Sequence, residues 1–153
     1  MSDLIIAIDP GTETGYAEYD GTLMLKSCGF WCVIDTLVEV APSKPTVIIE
    51  STSGKGNFRA ATSKAVAFRM GTNVGVPMRD AILLQEYCES LELEVVLMPP
   101  VGRKYFYPDD DKKGSKISHA EFIEKAWPDY LGSKTNPHKR DAGILIRKYL
   151  DES

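Results

Sequence analysis

Cysteine and histidine are scarce. Cys28, Cys32 and Cys88 form an odd set with no repeated spacing, and His119 and His138 stand far from them in the chain. A zinc site built on paired Cys and His is therefore not expected. Cys28 and Cys32 are expected to pack as small apolar residues in a strand of a reduced, cytosolic protein. No apolar run is long enough to span a bilayer, and the opening residues lack a basic stretch running into an apolar segment with a small-residue cleavage site. The expectation is a soluble protein of the cytoplasm with no membrane partner. Positive charge is also short: 18 Lys and Arg face 22 Asp and Glu, a formal net charge of −4. That balance argues mildly against nucleic acid as a partner, but it averages over an uneven distribution.

Acids are missing altogether from residues 51–79, which carry Lys55, Arg59, Lys64, Arg69 and Arg79. A second basic group, Arg103, Lys104, Lys112, Lys113 and Lys116, shares its stretch with Asp109, Asp110 and Asp111. Either group would be an ordinary solvated face unless something else pointed to phosphate. The 153 residues, 43% hydrophobic and 26% charged, suit one domain over residues 1–153 with a substantial core.

The chain is organised around its start. Leu4-Ile5-Ile6-Ala7-Ile8 reads as a buried strand, too short for a helix and rich in β-branched residues. It ends at Asp9, followed by Pro10-Gly11, so a carboxylate stands where the backbone must turn sharply. A lone Asp-Pro-Gly would be read as a capped turn. Thr46-Val47-Ile48-Ile49-Glu50 repeats the device, however, and its acid gives way to a loop of small residues.

Between the two, residues 16–19 and 22–33 read as strands joined through the Asp20-Gly21 hairpin signal, giving an antiparallel meander. Residues 34–40 have helical spacing and are stopped by Pro42 and Pro45. A strand after such a crossover can lie parallel to the first, which would make Asp9 and Glu50 neighbours at one sheet edge. Gly54-Lys55-Gly56 lacks the spacing of a phosphate loop.

Helices are expected over residues 58–70 and 79–91, the second with Ala81, Leu84, Tyr87, Cys88 and Leu91 on one face. Residues 94–98 form a fifth strand, and residues 101–115 read as a mobile loop. Ser118-His119-Ala120-Glu121 is a capping box opening a helix to about Trp127, with His119 an ordinary first-turn residue. Asn136-Pro137 opens a last helix to about Leu150. His138 and Asp141, three residues apart, share a face in its first turn, and Ala142 and Gly143 permit close approach to a sheet. The helix dipole alone would favour an acid at Asp141, but it does not explain two acids at strand ends.

The layout, with the motifs IIAIDPGTETGYA, VIIE and HKRDAGILI, resembles the RNase H-like nuclease superfamily, and in particular the RuvC-type Holliday junction resolvases. The resemblance in layout covers nearly the whole chain, and the compact length resembles a phage or viral form, which would act in the host cytoplasm. It implies an α/β fold with a mixed five-stranded sheet of order 3-2-1-4-5, strands 1–3 antiparallel, and helices on both faces. It also implies a homodimer that cuts four-way DNA junctions by metal-dependent phosphodiester hydrolysis, with two Mg²⁺ ions, or Mn²⁺, at the site.

By that resemblance Asp9 would bridge the metals while Glu50 and Asp141 each hold one. Where the family usually has a further acid this chain has His138, which would ligate a metal or stabilise charge at the scissile phosphate. Phe58 would stand at the junction centre. Lys55, Arg59 and Lys64 would meet phosphates on one side, and Arg103, Lys104, Lys113 or Lys116 on the other. Three alternatives stay open: a nuclease of the same fold acting on RNA–DNA hybrids or other branches, a non-catalytic nucleic-acid binding module, and a phosphate-binding domain of the actin and sugar-kinase type.

Overall fold

The computed structural model describes residues 3–51, 72–110 and 116–153, with residues 72–77 described as backbone only. The helix expected over residues 58–70, the loop at residues 54–56, and the residues Lys55, Phe58, Arg59, Lys64, Lys112 and Lys113 lie outside it.

Strands β1 (Ile5–Asp9), β2 (Thr14–Tyr19) and β3 (Leu23–Cys28) form the meander. Helix α1 (Phe30–Val40) then carries the chain to β4 (Thr46–Glu50). Helix α2 (Thr72–Ser90), β5 (Glu94–Met98), the short helix α3 (His119–Glu121) and the long helix α4 (Pro137–Glu152) follow. The sheet order is β3-β2-β1-β4-β5, with β1–β2 and β2–β3 antiparallel and β1–β4 and β4–β5 parallel. This is the expected mixed sheet.

Side chains alternate across a strand, and each face of the sheet has its own core. Ile6, Ile8, Tyr16, Val47 and Ile49 are buried on one face with Val33 and Leu37 of α1 and Ala81, Leu84 and Cys88 of α2. Ala7, Ala17, Leu25, Ile48 and Met98 are buried on the other with Phe122, Trp127 and residues 142–146 of α4. Asp9 lies two residues beyond Ala7, and Glu50 two beyond Ile48. Both acids therefore fall on the α4 face.

Three local expectations differ from the structure. Residues 31–33 belong to α1 rather than to a longer third strand, because Gly29 ends β3 and Val33, Thr36 and Leu37 take the buried side of a helix. Cys32 accordingly sits in a helix, where its thiol hydrogen-bonds that of Cys28; burial, chiefly, and this neighbour push Cys28 up to about 11. Helix α2 starts at Thr72 rather than at residue 79 and continues through Gly75 and Pro77.

In the loop after β5, Arg103 is turned inward and ties residues 103–110 to α3. The side chain of Arg103 is 9% exposed, donating to Asp110 at 2.8 and 3.0 Å and to Glu121 at 2.8 Å. The Arg103 guanidinium also stacks on Tyr107 and holds the Glu121 carboxyl down at about 2.

Ser118 and Glu121 form the expected capping box of α3, which widens into a π-type turn over Phe122–Ala126. Trp127 ends that turn, and its indole N–H donates to the Gly143 carbonyl at 2.8 Å, tying it to α4. Gly143 is needed at this crossing, since a Cβ there would stand 2.8 Å from the Phe122 ring. Among the described residues no helix is long and apolar enough to cross a membrane.

Candidate active site

The site lies at the C-terminal edge of the parallel β1–β4 pair. Ile8 pairs with Ile49, so Asp9 and Glu50 occupy the next step of the same register. Their carboxyls hydrogen-bond each other. Two like-charged groups this close, in a largely dry setting, cannot both ionise without cost. Asp9 is 8% exposed, and burial first, then Glu50, pushes its carboxyl up to about 9. Glu50 is raised as well, mainly by burial. A hydrogen bond between two carboxyls needs a proton, so the pair is held with one proton shared between Asp9 and Glu50, both of them raised by burial.

Helix α4 brings the third acid. The Asn136 side chain accepts from the Lys139 N–H at 2.9 Å, and Pro137 occupies the first helical position. Removing such a cap costs about 1 kcal/mol. The approach to the helix is held from behind. His119 Nδ1 accepts from the Thr135 N–H at 3.1 Å, and Arg140 donates to the Thr135 carbonyl and hydroxyl at 3.1 and 3.0 Å. His119 is thus more than a first-turn residue, because it fixes the segment entering α4. Asp141, in the first turn of the helix, is near enough for its charge to raise both Asp9 and Glu50.

Gly15, at the end of the turn that follows Asp9, lies directly across from that acid in the β1–β2 register. A side chain there would overlap the His138 carbonyl, whose carbon would be 2.7 Å from a Cβ. The absence of that side chain lets the first turn of α4 settle on the strand. The signal was present in the sequence: a glycine closing the turn that begins at Asp9. Thr14 Oγ1 donates to the Gly11 carbonyl at 3.2 Å, bracing the same turn.

The remaining expected site residues are placed unequally. His138 is half-buried in the first turn of α4. Lys104 is exposed, Arg103 is turned into the fold, and Lys116 pairs with Asp141 at 2.6 Å. Among the described residues, no three His, Cys, Asp or Glu side chains stand together as a metal-holding group in this arrangement. Asp9 is engaged with Glu50, and Asp141 with Lys116. The donor set itself fits a hard divalent cation: three carboxylates, no thiolate, and a mutual repulsion that added positive charge would relieve.

The raised carboxyls set a pH dependence. A carboxyl whose folded value lies above its ordinary 3.8 stabilises the fold fully below that value, and the contribution is lost as pH rises toward about 9. Thermal melts in chelator are therefore expected to show stability falling across that window. Asp9→Asn should flatten the slope, and an equally steep profile in that variant would contradict the assignment.

No protein-family model matches this chain, and no curated protein matches it in sequence. Solved structures do match. The structure of RuvC from Thermus thermophilus superposes with a TM-score of 0.56 at 12% identity, covering 96% of this chain and 93% of that one. T. thermophilus RuvC in complex with a Holliday junction substrate gives a TM-score of 0.54 at 13% identity, over 96% and 92% of the two chains. With the strand order and the helices on both faces, these likenesses show that the chain has an RNase H-like α/β fold of the RuvC kind.

Proposed function

We propose that this protein is a structure-selective endonuclease that resolves four-way or other branched DNA by metal-dependent phosphodiester hydrolysis, acting as a homodimer. The observation that carries this reading is the meeting of Asp9 and Glu50 at the end of the parallel pair, on the sheet face where α4 delivers Asp141. The likeness along nearly the whole chain to RuvC, solved also with a Holliday junction, supports the choice of substrate.

Asp9, Glu50 and Asp141 would hold the metal, with Mg²⁺ the natural partner of such oxygen donors. When bound, two Mg²⁺ ions supply an activated water and charge stabilisation at the leaving oxygen. To take up that cation the chain must release the proton shared by Asp9 and Glu50. His138 stands on the Asp141 face of the helix, where a protonated ring would donate to a phosphate oxygen or a neutral one would add a ligand.

Lys104 and Lys116, with Lys55, Arg59, Lys64 and Lys113, are proposed to meet phosphates, and Phe58 to stack at the branch point. Arg103 is left out of this set, since its two carboxylate partners already account for it.

The test is incision of a labelled mobile four-way junction, a three-way fork and an RNA–DNA hybrid, with and without Mg²⁺, alongside the mass in solution. Symmetrical Mg²⁺-dependent cuts in the junction by a dimer are expected, with affinity falling steeply as salt rises. Preferential cutting of the hybrid, or binding without any incision, would overturn the reading in favour of another RNase H-like nuclease or a binding module.

A further inference from the structure

The acidic cluster already has a cation against it. Lys116 places Nζ 2.6 Å from Asp141 Oδ2, and its charge also acts on Asp9 and Glu50. The two partners differ in exposure: the Asp141 side chain is 16% exposed and that of Lys116 62%. The ammonium thus reaches in from solvent on a flexible stem to a mostly covered acid. Its base is followed at once by buried Ile117 and by Ser118, the cap of α3.

A pair of this kind contributes little net stability, since it gives up lysine rotamer freedom and stays within reach of water and salt. It yields readily to competitors of the right sign. The proposed reaction brings one for each partner: a divalent cation for the carboxylates and a phosphodiester for the ammonium.

Resting on that functional reading, we propose that Lys116 is an exchangeable counter-ion: it neutralises Asp141 in the metal-free protein and leaves it when a DNA phosphate draws the ammonium away. The contact of a mostly covered Asp141 with an ammonium that stays in reach of solvent is what this device requires. Metal and DNA then strengthen each other's binding, since coupling of two ligands through one exchanged contact is reciprocal. An active site built this way loads fully only on its substrate.

The experiment is calorimetric titration of Mg²⁺ and Mn²⁺ into the wild type, Lys116→Met, Lys116→Gln, Lys139→Met and Asp9→Asn. It is run without DNA and again with a four-way junction whose phosphorothioate linkages resist cleavage. Without DNA, both Lys116 variants are expected to bind the ions about fivefold tighter or more, as loss of a competing contact worth about 1 kcal/mol implies. Lys139→Met, which removes one charge from α4, should change binding much less. Junction DNA should tighten metal binding in the wild type and do so far less in the Lys116 variants.

Equal metal affinity in wild type and Lys116 variants, or undiminished coupling to DNA, would overturn the proposal. If Asp9→Asn abolishes metal binding while the Lys116 variants match the wild type, only the role of Lys116 falls. If wild type and Asp9→Asn bind the ions equally weakly, the metal site falls and this proposal with it.

Discussion

Asp9→Asn is expected to reduce junction incision by about a thousandfold or more, the equivalent of roughly 4 kcal/mol of lost transition-state stabilisation at a metal site. Asp9 is the innermost of the three acids and the one on which burial, Glu50 and Asp141 all act. Asparagine keeps the shape and can still donate a hydrogen bond to Glu50, but it cannot become an anionic ligand. Junction affinity should persist, because lysines and arginines carry it. The variant should also melt at or above the wild-type temperature at neutral pH, since the buried acid it removes opposes folding there. Divalent ions should then raise the melting temperature of the wild type and not of the variant. A variant that cuts normally would remove Asp9 from the chemistry; one that unfolds would contradict the electrostatic account.

The second large effect is expected at a residue with no side chain. Gly15→Ala puts a methyl group into the His138 carbonyl, which is backbone and cannot rotate away. The first turn of α4 must lift or the strand must bend, at about 1–3 kcal/mol for overpacking of this kind. The same movement carries His138 and Asp141 away from Asp9 and Glu50. A misplacement near 1 Å costs about a hundredfold in rate, so incision should fall by that order even at temperatures where the variant is fully folded. Gly102→Ala is the control, because a Cβ there meets nothing within 4 Å. Equal activity in the two variants would show that α4 does not depend on close seating against β2.

Much of this site was legible from local signals. Apolar runs ending in an acid marked Asp9 and Glu50, and the helical crossover between them allowed β1 and β4 to lie parallel with their ends at one edge. The Asn136-Pro137 start of α4 was legible for the same reason, since a cap is a contact between residues three apart. The departures arose where a local signal met a competing one. Trp31 and Val33 resemble strand residues in isolation, yet a glycine before them and a buried helical stripe through Val33 and Leu37 decide otherwise. In α2, Gly75 and Pro77 look like breakers, and the helix runs through them.

Charge partners followed no local rule. Arg103 looked like one more phosphate contact in a basic loop, but it turns inward to Glu121, 18 residues away. Lys116 looked the same and instead meets Asp141, 25 residues away.

The sequence by itself determined where five strands fall along the chain, that the first three could form a meander and the fourth lie parallel to the first, and the positions at which acids leave the sheet. Strand period and turn chemistry act over a few residues and are written directly into the chain. Only the tertiary structure decided that both strand-end acids share the face covered by α4, that Gly15 must be bare for α4 to approach, and which cations face inward. Those outcomes depend on which helix packs on which face of the sheet, and packing is a property of surfaces that sequence neighbours do not share.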